Sequence, residues 1–205
     1  MIFMKRILLF SLLGLITGKI IAQKNIQSLP VGTKAPMVDV KMKDVSDKMV
    51  SIKDAMMDNG VLVMFSCNTC PYVIKNQDRT KSIANYALQN KLGVIILNSN
   101  EAQRNADDSF DAMKKYAKSQ GYNYHYVVDA NASVADAFGA TRTPEIFLIN
   151  KEGTIVYKGA IDDSPADATQ VKTIFLKEAI NEVVAGKPIT VKESKSIGCT
   201  IKRKA

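Results

Sequence analysis

Residues 61–73 read VLVMFSCNTCPYV, and this stretch decides the fold. VLVMFS (61–66) is a continuous apolar run closed by Ser66, the pattern of a strand buried on both faces. Cys67 and Cys70 follow, three positions apart, and Pro71 comes directly after. Proline suits the first turn of a helix. Beyond it Val73, Ile74, Gln77, Ile83, Ala84, Ala87 and Leu88 approximate one helical face. A Cys-x-x-Cys pair thus sits where a buried strand hands over to a helix.

That position has a chemical logic. Helix N-terminal N–H groups and the helix dipole favour negative charge. A thiolate placed there has its pKa lowered from about 8.5 toward about 3.5–7.5. The thiolate is the nucleophile in disulfide exchange and in peroxide attack. Two intervening residues let the sulfurs close a small ring, so one can release a mixed disulfide formed by the other. A purely structural Cys67–Cys70 staple is a weaker reading, because so short a loop removes little unfolded-state entropy. A zinc site would need further ligands, and only Cys199 and His125 stand beyond the pair.

Outward from this centre, strands and helices alternate. MVDVKMK (37–43) alternates apolar and polar and reads as a strand, and residues 46–60 form a connection with a short helix before Asn59. LGVIILNSN (92–100) is a second buried strand. A helix opens at Asp107, Asp108 and Ser109 and stops at Gly121. Residues 124–129 form a strand, 132–139 a short helix closed by Gly139, and 145–150 with 154–159 a hairpin about Lys151-Glu152-Gly153. A final amphipathic helix covers 167–186. This order implies an α/β domain with a mixed central sheet flanked by helices. The reading places a lead-in at 23–36, the domain at 37–186 and a polar tail with Cys199 at 187–205.

The chain has 205 residues, 46% hydrophobic and 23% charged, in the range of a globular domain. One histidine excludes chemistry that needs several imidazoles. Lys5 and Arg6 precede the apolar ILLFSLLGLIT, too short to span a bilayer, and Ala22 supplies a small residue. This is the form of a secretory signal, cleaved after Ala22, with an uncleaved anchor as the other reading. Its removal takes Lys5, Arg6 and Lys19 and no acid, lowering the formal charge from +8 to +5. The remaining cations lack a basic stripe with interleaved aromatics, so no nucleic-acid partner is expected. In an oxidising compartment thiols pair or need a supply of electrons. Three cysteines (Cys67, Cys70, Cys199) cannot close a disulfide framework, so at least one is free or reactive in some state.

ATRTPEIFLIN puts Thr143-Pro144 immediately before a strand. Proline inside a central strand loses a ladder bond, so it belongs at the start or at a turn. A cis bond there would present the Thr143 backbone to an extended peptide lying over the sulfurs. An ordinary trans proline opening a strand fits the spacing equally.

Over residues 31–185 the sequence resembles the thioredoxin superfamily. CNTCPYV, ATRTPEIFLINKEGTIVYKGAIDD and the late GCTIK resemble its peroxiredoxin-like (alkyl hydroperoxide reductase, thiol-specific antioxidant) branch. The resemblance implies a thioredoxin-like fold and no organic cofactor or metal. It puts Cys70-Pro71 at the family's attacking cysteine, Cys67 where peroxiredoxins carry Thr or Ser, and Val73 at thioredoxin's second cysteine. Helix-start physics also favours Cys70, whereas thioredoxin habit favours the first cysteine of a pair. The expectation is that Cys70 attacks and Cys67 resolves, with Thr143 and Pro144 binding substrate. Arg142 is the nearest candidate for the anion-stabilising arginine, two residues early. Cys199 is either a mobile resolving cysteine, a disulfide partner tying down the tail, or a free thiol.

The leading expectation is an exported, periplasmic thiol-disulfide oxidoreductase with protein disulfides as substrate and a reducing dithiol as partner. The alternatives are a thiol peroxidase with Cys70 as peroxidatic cysteine, and a non-catalytic module holding a partner or a metal.

Overall fold

The computed structural model describes residues 26–204, so the signal-peptide expectation for residues 1–22 lies outside the described residues. In chain order the elements are β1 (Met42–Asp44), β2 (Met49–Val50), α1 (Ile52–Ala55), β3 (Gly60–Ser66), α2 (Pro71–Lys75), α3 (Gln77–Gln89) and β4 (Gly93–Asn98). They continue with α4 (Phe110–Gln120), β5 (His125–Val128), α5 (Ser133–Phe138), β6 (Arg142–Thr143), β7 (Glu145–Asn150), β8 (Ile155–Gly159), α6 (Phe175–Val184) and β9 (Cys199–Thr200).

One sheet of seven strands has the order β2-β1-β5-β4-β3-β7-β8. β3, β4 and β5 run parallel, while β7, β8, β1 and β2 join antiparallel. The expected mixed sheet is therefore present, with the expected hairpin at its edge. The apolar run of β3 explains its central place. Successive side chains point to opposite faces, and both faces are covered. Val61, Val63 and Phe65 join one core with Ile95, Leu97, Phe147, the helix α5 residue Phe138, and Ile52 of α1. Leu62 and Met64 join the other with Ile96, Leu148, Ile83 and Ala87 of α3, Met113 of α4 and Ile180 of α6. Each such large apolar side chain contributes roughly 1.5–3 kcal/mol on burial.

Local chemistry sets the helix ends. Ser109 caps α4 through a bond from Ala112 N, and Gly121 closes it in the left-handed conformation at φ 66°. The helix after Pro71 is interrupted at Asn76, whose Nδ2 donates to Tyr72 O and to Pro165 O, both at 2.7 Å.

Three expectations need correction. The strand read at 37–43 begins only at Met42, because Met37 takes φ 54° and Val40 N bonds Met37 O, turning the chain first. The final helix begins at Phe175 rather than at 167. Asp163 accepts bonds from Lys172 N and Thr173 N, and Asp167 accepts from Thr169 N, so acid side chains take the N–H groups a helix would use. The tail is also not separate from the domain. Ile201 is 3% exposed and belongs to the first core, and β9 pairs with β6.

Candidate active site

β3 delivers the cysteine loop at its C-terminal end. Cys67 and Cys70 are buried, at 2% and 5% exposure, in a small cluster with Val73 and the partly buried Tyr72 and Cys199. Cys70 is the N-cap of α2, its carbonyl accepting from Ile74 N at 3.0 Å. Its sulfur does not cap the helix. It turns instead toward the loop before β7, where the Thr143–Pro144 peptide is cis. Cys70 Sγ lies 3.2 Å from Thr143 O, and Cys67 Sγ lies 3.5 Å from Thr143 Oγ1. Four of the expected residues, Cys67, Cys70, Thr143 and Pro144, therefore meet at one place.

The disulfide is Cys70–Cys199, bridging 129 positions with Cα atoms 6.1 Å apart, and Cys67 is the free thiol. The expected Cys67–Cys70 pairing is thus not the one formed. The reason is β9: it pairs antiparallel with β6 in the register Thr143 to Cys199 and Arg142 to Thr200. That register lays Cys199 over the cysteine loop. The tail occupies the Thr143 edge to which an extended peptide was expected to pair.

Burial pushes the Cys67 thiol above its ordinary pKa. The Thr143 hydroxyl acts against this, and the Asp108 charge adds to it. Arg142 does not reach inward. It is exposed, and its Nη1 donates to Thr200 Oγ1 at 3.2 Å. The anion-stabilising role expected of it has no support in this geometry.

Two carboxylates that the sequence reading left outside the site shape it. Asp108, read as part of a helix start, is fully buried. Its Oδ1 accepts from Asn68 N at 2.9 Å and Asn98 Nδ2 at 2.7 Å, and its Oδ2 from Asn100 Nδ2 at 2.9 Å. Tyr126 OH donates to Asn68 Oδ1 at 2.8 Å. Asn68, one of the two residues between the cysteines, is thereby fixed by a network that joins the ends of β3 and β4 to Tyr126 of β5. The signal was Ser109: once it caps α4, Asp108 is spare. Glu145 follows the cis proline and accepts from Thr141 N at 2.7 Å and Arg142 N at 2.9 Å, holding the turn into β6. Burial raises its pKa, against the lowering effect of those two bonds.

Comparison with known proteins agrees with this geometry. The Redoxin family description matches residues 30–174. The thiol-disulfide oxidoreductase ResA of Bacillus subtilis is 28% identical over 137 residues, covering 63% of this chain and 67% of that protein. An uncharacterized conserved protein of Geobacillus kaustophilus has a crystal structure 32% identical, with TM-score 0.79, covering 85% of this chain and 93% of that one. A hypothetical protein of Sinorhizobium meliloti is also 32% identical, with TM-score 0.77 and coverage of 87% and 97%. A thioredoxin-like sheet, a cysteine at a strand-to-helix junction facing a cis proline, and a family match over most of the chain converge: this protein belongs to the Redoxin family, on the peroxiredoxin-like side of the thioredoxin superfamily, and is an oxidoreductase.

Proposed function

We propose that the protein is an exported thiol-disulfide oxidoreductase that reduces disulfides through Cys70 and Cys199. The observation that carries this reading is the Cys70–Cys199 disulfide seated on Thr143 beside the cis proline. Cys70 is the attacker: it stands at the start of a helix and already faces a second sulfur. Its thiolate attacks one sulfur of a target disulfide, forming a mixed disulfide and releasing the other sulfur as a thiol once protonated. The Cys199 thiolate then attacks Cys70 Sγ. The target leaves as its second thiol, and Cys70–Cys199 closes. Two electrons pass from protein to target, and a reducing dithiol partner returns them. Cys199 takes the resolving role that the sequence reading gave first to Cys67. Cys67, neutral by burial, stands beside the reacting sulfur without forming the closing bond. The basic and apolar N-terminal segment supports export, and the likeness to a named thiol-disulfide oxidoreductase supports the reaction class.

The test is turnover of a chromogenic disulfide by the protein and three serine variants, with a dithiol as reductant. Cys70→Ser abolishes turnover, Cys199→Ser turns over far more slowly and accumulates as a mixed disulfide on Cys70 when the dithiol is left out, and Cys67→Ser turns over within a few-fold of the parent. A stalled Cys67→Ser with an active Cys199→Ser would reverse the assignment. With Arg142 turned outward, hydrogen peroxide oxidises the reduced protein at the rate of an ordinary thiol. Oxidation orders of magnitude faster would instead establish a peroxidase.

A further inference from the structure

The seat of Cys199 carries a steric requirement. Gly198 lies against the cis-proline loop so closely that a Cβ on it would stand 2.2 Å from Thr143 O, 2.7 Å from Thr143 C and 3.2 Å from Pro144 N. The obstacle is backbone and cannot swing away. Gly198 is not among the residues of positive φ, so glycine is needed here for closeness and not for torsional freedom. Whatever strand pairs with Thr143 and offers a cysteine to Cys70 in this register must have almost nothing at the preceding position.

The anchors of the segment lie on either side of that seat. Upstream, Ala160 N donates to Ser194 Oγ at 2.9 Å, and Ser194 N donates to Lys158 O at 3.0 Å. Downstream, Ile201 is buried, its N donates to Thr141 O at 3.0 Å, and Lys202 N donates to Asn100 Oδ1 at 2.9 Å. Arg203 adds bonds to Asp136 Oδ1 and Ala140 O, each 2.7 Å. Between the anchors the segment is held by the two-residue β6–β9 pair, by Arg142 on Thr200, and by the disulfide.

We propose that Gly198-Cys199 holds the place of the substrate, and that the preferred target is an extended protein segment in which glycine precedes the disulfide-bonded cysteine. This rests on the thiol-disulfide reading above and names its substrate class. Reduction of Cys70–Cys199 removes the covalent hold. The target strand then replaces Gly198 and Cys199 on β6, while Ser194 and Ile201 keep the displaced cysteine close. Cys70 forms its bond to the glycine-preceded cysteine. The bond from that cysteine to its former partner breaks, and the partner sulfur leaves as a thiolate and takes a proton. When β9 returns, Cys199 attacks Cys70 Sγ, and the target cysteine departs as a thiol. The reducing dithiol of the previous subsection restores both protein thiols.

The experiment uses the whole reduced protein and two extended peptides identical but for Gly-Cys against Ala-Cys. Each cysteine is disulfide-bonded to a chromophoric aromatic thiol, whose low pKa makes it the leaving group. A small symmetric aromatic disulfide is the control. The expected result is a preference of about tenfold or more in kcat/KM for the Gly-Cys peptide, the scale of one steric clash in a docked strand. Equal rates for the peptides, or turnover of the small disulfide alone, overturns the inference and leaves the oxidoreductase reading standing. No turnover of any of the three overturns both. A second variant reads the same seat from within. Gly198→Ala should let Cys70–Cys199 open at about one-tenth of the dithiol-to-disulfide ratio the parent needs. An unchanged ratio means that the seat does not exclude a Cβ, and sinks the proposal.

Discussion

Both neighbouring cysteines are buried, but only Cys70 stands at the start of a helix. Burial among apolar groups disfavours the Cys67 thiolate and raises its pKa, and the Asp108 carboxylate adds to this. The sign is fixed: at pH 8 the thiolate fraction of Cys67 is below that of free cysteine, and it grows only as pH passes the ordinary thiol value. In fully reduced protein, iodoacetamide mapped by mass spectrometry should therefore mark Cys67 last at pH 8. Thr143→Val should slow it further, because it removes the hydroxyl that lowers the pKa. Labelling of Cys67 as fast as Cys70 would contradict the burial argument. The place of Cys70 at a helix start was readable in the sequence, since Pro71 marks one. Its partner Cys199 stood only as one of three readings, because spacing informs on neighbours and Cys199 is 129 positions away. Arg142 misled for a similar reason. Adjacent strand residues face opposite ways, so with Thr143 turned inward the guanidinium faces out.

Among the elements, the loop between β3 and α2 depends on another loop, the one before α4. Asp108 accepts three N–H donors there, one of them the backbone of Asn68 between the cysteines. Asp108→Ala leaves those donors buried without a partner, which should cost about 3 kcal/mol in urea unfolding. It should also disturb Cys70 turnover, although Asp108 makes no contact with a sulfur in the structure's hydrogen-bond network. A loss within about 0.5 kcal/mol, the range of an ordinary surface change, would show that the network is not structural. Strands β3 and β4 were legible because unbroken apolar runs admit few other fates, and α4 was legible from Ser109 and Gly121. Asp108 was hidden because acids before a helix have an adequate explanation as capping residues. The stretch 163–174 was misread because Asp163 and Asp167 bond locally to backbone N–H groups, which no apolar periodicity reports.

At the scale of the molecule, the C-terminal segment completes the core and closes the site. Its composition reads as a solvated tail, yet Ile189 and Ile201, scattered among cations and polar residues, are buried. The disulfide it carries spans so much chain that its loss frees considerable unfolded-state entropy. The oxidised protein should therefore be more stable than the reduced one by about 3–5 kcal/mol in chemical denaturation. Equal midpoints for the two forms would mean that Ile201 and Arg203 hold the segment without the covalent link. The same bond has a consequence for wear. Exposed residues 166–170 lie inside the covalent ring that runs from Cys70 to Cys199. A protease that clips the chain there does not release a fragment: the two pieces remain one particle, heavier by a water, until a reductant reaches the sulfurs. Damage to the backbone is thus concealed while the protein is oxidised, and becomes final only when it is reduced.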